Sequence, residues 1–130
     1  MKPTIKQVLK GALISGAIAL VLNQIWNIIA LNFLGAVAPP GPWTIMVSFS
    51  SVFPLLLAGI VFFALEKYTV SGTKIFVGIA IVLTILSCYP NFQPLLPDGT
   101  AAPQNFALLT VPMHFVAGLA AAICIPRLSK

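Results

Sequence analysis

The only histidine of the chain, His114, lies inside a long apolar stretch, Leu108–Arg127, two residues after a proline. Imidazole can act as a general acid or base, exchange hydrogen bonds, or bind a metal ion. An ionisable side chain is expensive to place in such surroundings, and it is by default a candidate functional residue when the segment spans a membrane. The groups around His114 therefore decide which chemistry is available.

Two pairs of polar residues recur at helical spacing in other apolar segments. Asn23 and Asn27 are four residues apart, and Ser48 and Ser51 are three apart, so each pair lies on one helix face. At a rise of about 1.5 Å per residue, all four lie about 6 to 16 Å below the membrane surface nearest His114, which is itself about 12 Å deep. The sequence thus predicts a ligand-binding pocket formed by His114, Asn23, Asn27, Ser48 and Ser51.

A structural explanation of the same residues stays open. In it, His114 bonds Asn23 or Asn27 and locks the fourth helix to the first. Hydrogen bonds between membrane helices contribute only about 0.6 kcal/mol on average, so packing alone is a weak reason for so many polar groups. Pro54 and Pro112 also free the carbonyls of Ser50 and Leu108, which can hold water or a polar ligand.

Composition indicates a membrane protein. Hydrophobic residues make up 59% of the 130 positions and charged residues 7%, and the mean hydropathy is +1.05. A typical soluble domain has about 25% charged residues, so this chain cannot cover a surface exposed to water. The lipid bilayer is therefore the expected partner, and one domain covering residues 1–130 is predicted.

Four apolar segments have lengths near the roughly 20 residues that cross the hydrocarbon core. Backbone groups in lipid must be satisfied within each segment, which favours helices over strands. The predicted fold is an all-α polytopic membrane protein, a four-transmembrane-helix bundle. Its helices are expected at about residues 8–34, 44–65, 74–89 and 106–125.

The basic residues predict the orientation. All seven lie before helix one or in its first turn, in or beside the connection between helices two and three, or after helix four: Lys2, Lys6, Lys10, Lys67, Lys74, Arg127 and Lys130. The connections 35–43 and 90–105 contain none. The positive-inside rule then places both termini in the cytoplasm. The net charge of +5 is spread over separate segments, so no nucleic-acid partner is predicted.

Several chemistries lack the residues that they need. Cys88 and Cys124 are predicted at opposite faces of the bilayer, too far apart for a disulfide, and neither lies near His114 in depth, so no metal site is predicted. The carboxylates of Glu66 and Asp98 both lie outside the spans. We therefore expect no cofactor, and a non-enzymatic role is favoured although catalysis by His114 stays open.

Small residues at four-residue spacing, as in Gly11–Ser15 and Ala12–Gly16, favour close helix pairing, either within one chain or in a homo-oligomer. The connection 90–105 is long for so small a domain and is either a functional gate or a plain cover. Its Leu95 and Leu96 are expected to fold back onto the bundle.

The segment PMHFVAG, with Met113 and His114 in a last helix after three spans and a proline-rich connection, resembles a group of small bacterial four-helix membrane proteins. The asparagine pair of helix one matches as well. That group is catalogued as a domain of unknown function. The resemblance implies a multi-pass protein of the bacterial cytoplasmic membrane and implies no activity.

Three functional hypotheses follow. The first is a small integral membrane protein with an outward-facing pocket that binds a small or lipid-like molecule. The second is a membrane enzyme that uses His114 as acid or base. The third is a non-catalytic subunit of a larger membrane complex.

Overall fold

The structure, a computed structural model, describes residues 2–130, so that residue 1 of the predicted domain lies outside it. Its helices are α1 (Ile5–Phe33), α2 (Trp43–Tyr68), α3 (Gly72–Cys88), α4 (Phe106–Leu119) and the short α5 (Ile125–Leu128). A 3₁₀ turn, Tyr89–Phe92, continues α3, and a π-helical segment, Ala120–Cys124, joins α4 to α5. These elements form four helical segments long and apolar enough to cross a membrane, which confirms the predicted all-α architecture.

The helix ends differ from the predicted ones for local reasons. α1 begins at Ile5 because the Thr4 side chain accepts from the Gln7 backbone N–H while the Gln7 side chain accepts from the Thr4 N–H, a capping box. α2 runs to Tyr68, past the last apolar residue. The third span, predicted to be the shortest, gains the 3₁₀ turn and reaches Phe92.

The helices pack in the order α1, α2, α3, α4 around the bundle, and the most extensive interface joins α1 to α2. Small residues allow that approach. A Cβ at Gly59 would lie 2.7 Å from the Ala12 Cβ, and one at Gly16 would lie 3.2 Å from the Val52 Cα. The small residues Ala12 and Gly16 therefore serve pairing within the chain.

The two ends of the bundle differ in charge. Lys2 Nζ donates to the Lys67 carbonyl at 3.1 Å, and the Ser129 hydroxyl lies against Gly11, so both termini and the α2–α3 turn meet at one end, the basic end. At the other end, the loop end, Val37 N–H donates to the Gln104 carbonyl. The loop end joins the two connections that carry no lysine or arginine.

The apolar core has two parts with a polar layer between them. One cluster, nearer the basic end, contains Ala19 and Leu55. The other, nearer the loop end, contains Ala30 and Val47. Along α1 and α2, Asn23, Asn27 and Ser51 fall between these two clusters, whereas the buried Ser15 of α1 lies at the height of the cluster nearer the basic end.

Candidate functional site

A cavity of about 250 Å³ lies in the loop-end half of the bundle, mainly between α2 and α4. Its polar lining comes from α1, α2, α4 and the 3₁₀ turn after α3. The polar lining residues are Asn23, Ser50, Asn91, Thr110 and His114. Trp43 and Phe106, the first residues of α2 and α4, form an aromatic wall with ring centroids 6.3 Å apart.

His114 is half-buried and faces this cavity, as do Thr110 and Ala117 on the same side of α4. Helical spacing predicts that shared face, and the structure places it toward the other helices. Among residues 2–130 the imidazole has no hydrogen-bond partner within the protein. Both ring nitrogens are therefore available to a molecule in the cavity.

Asn23 lies across the cavity on α1 and is buried. Its Nδ2 donates to Ser51 Oγ at 2.9 Å, and the Ser51 hydroxyl donates in turn to the Val47 carbonyl at 2.7 Å. The Asn23 Oδ1 atom is buried and accepts no hydrogen bond in the described part of the chain. A buried acceptor without a donor costs about 1–3 kcal/mol, so this oxygen requires an explanation.

The other predicted site residues do not line the cavity. Asn27 Oδ1 accepts from Trp43 Nε1 at 2.8 Å, and Ser48 Oγ accepts from Gln24 Nε2 at 2.9 Å. These bonds, like that of Ser51, join α1 to α2. The predicted set thus divides into Asn23 and His114 at the cavity, and Asn27, Ser48 and Ser51 at the α1–α2 interface.

The suggested lock between His114 and the asparagines is likewise not formed. No hydrogen bond joins His114 to Asn23 or Asn27 among the described residues. The two asparagines bond α2 instead, because α1 packs far more extensively on α2 than on α4. Hydrogen bonding within the bundle therefore explains Asn27 and the serines and leaves His114 unexplained.

Two tryptophans have roles that the sequence did not indicate. Trp43 is the first residue of α2, where tryptophan usually marks a membrane boundary, yet its indole bonds Asn27 and its ring lines the cavity. Trp26 Nε1 donates to the carbonyls of Leu108 and Leu109, at 3.3 and 3.1 Å. The Leu108 carbonyl is the one that Pro112 leaves without its helical donor, so Trp26 satisfies a group whose release the sequence predicts.

Asn91 is the part of the connection 90–105 that lines the cavity, and it was not predicted. Its Nδ2 donates to the Ser87 carbonyl at 3.0 Å, which fixes the amide to the end of α3. Asn91 reaches the cavity because the third span continues past Cys88 as a 3₁₀ turn.

The rest of the connection forms a small hairpin. Leu96 N–H donates to the Thr100 carbonyl at 2.8 Å, and Asp98 Oδ1 accepts from the Thr100 hydroxyl and N–H. The hydrogen bonds from Thr100 lower the pKa of the exposed Asp98 carboxyl below its usual value. Leu95 is 56% exposed. The expectation that Leu95 folds onto the bundle was therefore wrong, because the hairpin turns that side chain outward.

The cysteines are both free thiols. Cys88 Sγ donates to the Thr84 carbonyl within its own helix at 3.3 Å. Within residues 2–130, no three His, Cys, Asp or Glu side chains come together in a way that could hold a metal ion.

Four apolar helical spans that enclose a cavity with a polar lining define a small multi-pass membrane protein. The chain belongs to the family of unknown function DUF6069, whose model matches residues 2–130. That membership confirms the predicted resemblance to a domain of unknown function. No curated protein and no solved structure matches the chain.

Proposed function

We propose that this protein binds a small or lipid-like molecule in the cavity between Asn23 and His114. The observation that carries the proposal is His114, an ionisable side chain that lines the cavity and has no hydrogen-bond partner among residues 2–130. A bound molecule that hydrogen-bonds the imidazole satisfies a polar group that the bundle leaves without a partner. The Asn23 amide lies across the same cavity.

The size of the cavity limits the ligand. A cavity of 150 Å³ is known to accept benzene in a protein interior, and this one has about 250 Å³. Pockets for drug-sized molecules begin at about 300 Å³. The cavity therefore suits a compact molecule slightly larger than benzene, or one end of a lipid-like molecule, with its apolar part against Trp43 and Phe106.

The position of the cavity suggests the side from which it is reached. It lies in the loop-end half, away from the lysines and arginines. The positive-inside rule favours a cytoplasmic location for the basic end. In our proposal, the protein lies in the bacterial cytoplasmic membrane with both termini inside, and the cavity faces the exterior.

The hydroxyl groups of the cavity favour binding over catalysis. Ser50 Oγ donates to the Val47 carbonyl at 3.2 Å, and Thr110 Oγ1 donates to the Phe106 carbonyl at 2.8 Å. A nucleophile activated by a base needs its proton directed at that base. Both hydroxyl protons are instead directed at backbone oxygens of their own helices, so neither serves His114 as an aligned nucleophile.

Native mass spectrometry of the protein released from nanodiscs tests the proposal. We expect an adduct of small mass on the wild-type chain and its loss in the variant His114→Leu, because leucine keeps the volume and removes both nitrogens. Phe115→Leu is the matched control, since Phe115 is the next residue of α4 and is 47% exposed toward the lipid side. It should keep the adduct, and the same spectra report the number of subunits.

Two results would contradict the proposal. One is a wild-type spectrum without any adduct after extraction in native lipid. The other is an adduct that persists in His114→Leu at the wild-type level. If His114→Leu lowers the thermal stability and leaves the adduct unchanged, the histidine is structural.

A further inference from the structure

The hydrogen-bond donors and acceptors of the cavity indicate the class of ligand. We infer that the cavity binds an uncharged molecule whose head group, a hydroxyl or a primary amide, donates hydrogen bonds. This inference rests on the proposed binding function and adds the chemistry of the ligand to it.

Every donor atom in the lining other than those of His114 already donates at least one hydrogen bond to the protein. Two of them bond other side chains, because Asn23 Nδ2 donates to Ser51 and Trp43 Nε1 donates to Asn27. The remaining three bond backbone carbonyls one turn earlier: Ser50 to Val47, Asn91 to Ser87 and Thr110 to Phe106. A ligand that needs donors therefore finds only the imidazole and the second N–H of the Asn23 amide.

Acceptors remain on several of the same residues. Both hydrogen bonds of the Asn91 side chain use its nitrogen, which leaves its oxygen free. A hydroxyl that donates one hydrogen bond keeps lone pairs, as on Ser50 and Thr110. Pro54 also leaves the Ser50 carbonyl without its helical donor. The lining is therefore rich in acceptors and suits a molecule that donates.

The lining favours neither an anionic nor a cationic ligand. A carboxylate or phosphate requires several donors, and the lining offers only the imidazole and one amide N–H. A cation finds oxygen atoms but no counter-charge, because Glu66 bonds Thr73 at the basic end and Asp98 lies in the exposed hairpin. An uncompensated ion away from water costs several kcal/mol. The preferred head group is therefore neutral, with its apolar body against the aromatic wall.

Four fluorinated probes of similar size test the inference by ¹⁹F NMR, with the protein in nanodiscs and empty nanodiscs as the reference for partitioning into lipid. They are 4-fluorobenzyl alcohol, 4-fluoroanisole, 4-fluorobenzoate and 4-fluorobenzylammonium. The first two are isomers that differ in having or lacking a hydrogen-bond donor. We expect the alcohol to bind about tenfold more tightly than the anisole, the ratio expected from one added hydrogen bond to an unsatisfied acceptor.

Two asparagine variants assign the preference to a site. Asn91→Leu removes the free amide oxygen of the lining and should reduce the tenfold ratio to about one. Asn32→Leu is the matched control, because Asn32 is exposed, lies outside the cavity lining and donates to the Ile28 carbonyl. It should keep the ratio. Thr110→Val is a second test variant, which removes a hydroxyl acceptor from the lining and is expected to lower the ratio partly.

The outcomes separate this inference from the proposed function. If no probe binds wild-type protein more than empty nanodiscs, both fail. If the anisole or the benzoate binds as tightly as the alcohol and competes with it, the binding function stands and the donor preference is refuted. If the ammonium binds most tightly, the ligand is a cation and the neutral class is wrong.

Discussion

Replacement of Gly118 by alanine should separate α3 from α4. A Cβ built at Gly118 overlaps the Thr84 hydroxyl and lies 2.7 Å from the Thr84 Cγ2 atom and 2.8 Å from its Cβ. Carbon atoms in good contact are about 3.5–4.0 Å apart, so the added methyl group penetrates by about 1 Å. Rotation of Thr84 cannot relieve the contact with Cβ, and it also breaks the hydrogen bond from Thr84 to the Ala80 carbonyl at 2.7 Å.

The loss of stability caused by Gly118→Ala is best measured against the same substitution at a second glycine. Gly78 lies on α3 with nothing within 4 Å of an added Cβ, so Gly78→Ala reports the gain in helix propensity alone. Overpacking of this kind costs about 1–3 kcal/mol. We therefore expect Gly118→Ala to have a free energy of unfolding about 1–3 kcal/mol lower than Gly78→Ala, from titration with SDS in mixed micelles followed by far-UV circular dichroism.

A double variant that moves the glycine from α4 to α3 makes this test more specific. Thr84→Gly removes all three atoms that the new methyl group meets. In that background Gly118→Ala should be neutral or stabilising by up to about 1 kcal/mol, the usual difference between glycine and alanine in a helix. Equal stability of Gly118→Ala and Gly78→Ala, or an unchanged penalty in the Thr84→Gly background, would refute the close contact.

Two further predictions concern the ends of the bundle. In a chain in which Cys88 and Cys124 are replaced by alanine, the variant Thr100→Cys should react with a membrane-impermeant maleimide in intact cells. The variant Lys130→Cys should react only after lysis. The reverse pattern would contradict the proposed orientation. Thr100→Val should raise the pKa of Asp98 toward its usual value, as read by NMR titration, because the largest cause of its depression is the Thr100 side chain. Folding lowers that pKa, so the ionised carboxyl stabilises the hairpin at pH values above the unfolded-state pKa. This contribution is lost as the pH falls through the folded-state pKa. An unchanged titration of Asp98 in the variant would contradict the assignment.

Periodicity and length predicted the four spans well, because each span must bury about 20 apolar residues whatever it packs against. The ends were less accurate because they depend on short-range contacts. The capping box of Thr4 and Gln7 starts α1 before the apolar run, and the 3₁₀ turn extends the third span. A Thr followed three residues later by Gln was a signal that sequence reading alone could have used.

The candidate site was only partly predictable. Helical phase correctly turned His114 and Asn23 inward, since one face of each helix carries the small and polar residues. Helical phase did not indicate which neighbouring helix each polar side chain contacts. Asn27 and Ser48 share the predicted depth, yet they bond Trp43 and Gln24 at the α1–α2 interface. Asn91, at the end of the third span, enters the cavity from a segment that was read as a loop.

The sequence by itself determined how many times the chain can cross a membrane, which segments carry the basic residues, and at which height along its helix each polar side chain lies. These properties follow from hydrophobicity, charge and a fixed rise per residue, and they do not depend on the neighbouring helices. The tertiary structure alone decided that α1 pairs mainly with α2, so that their amides and hydroxyls satisfy one another. That pairing leaves the His114 imidazole at the cavity without a partner, because hydrogen bonds between helices form only where packing brings donor and acceptor within about 3 Å.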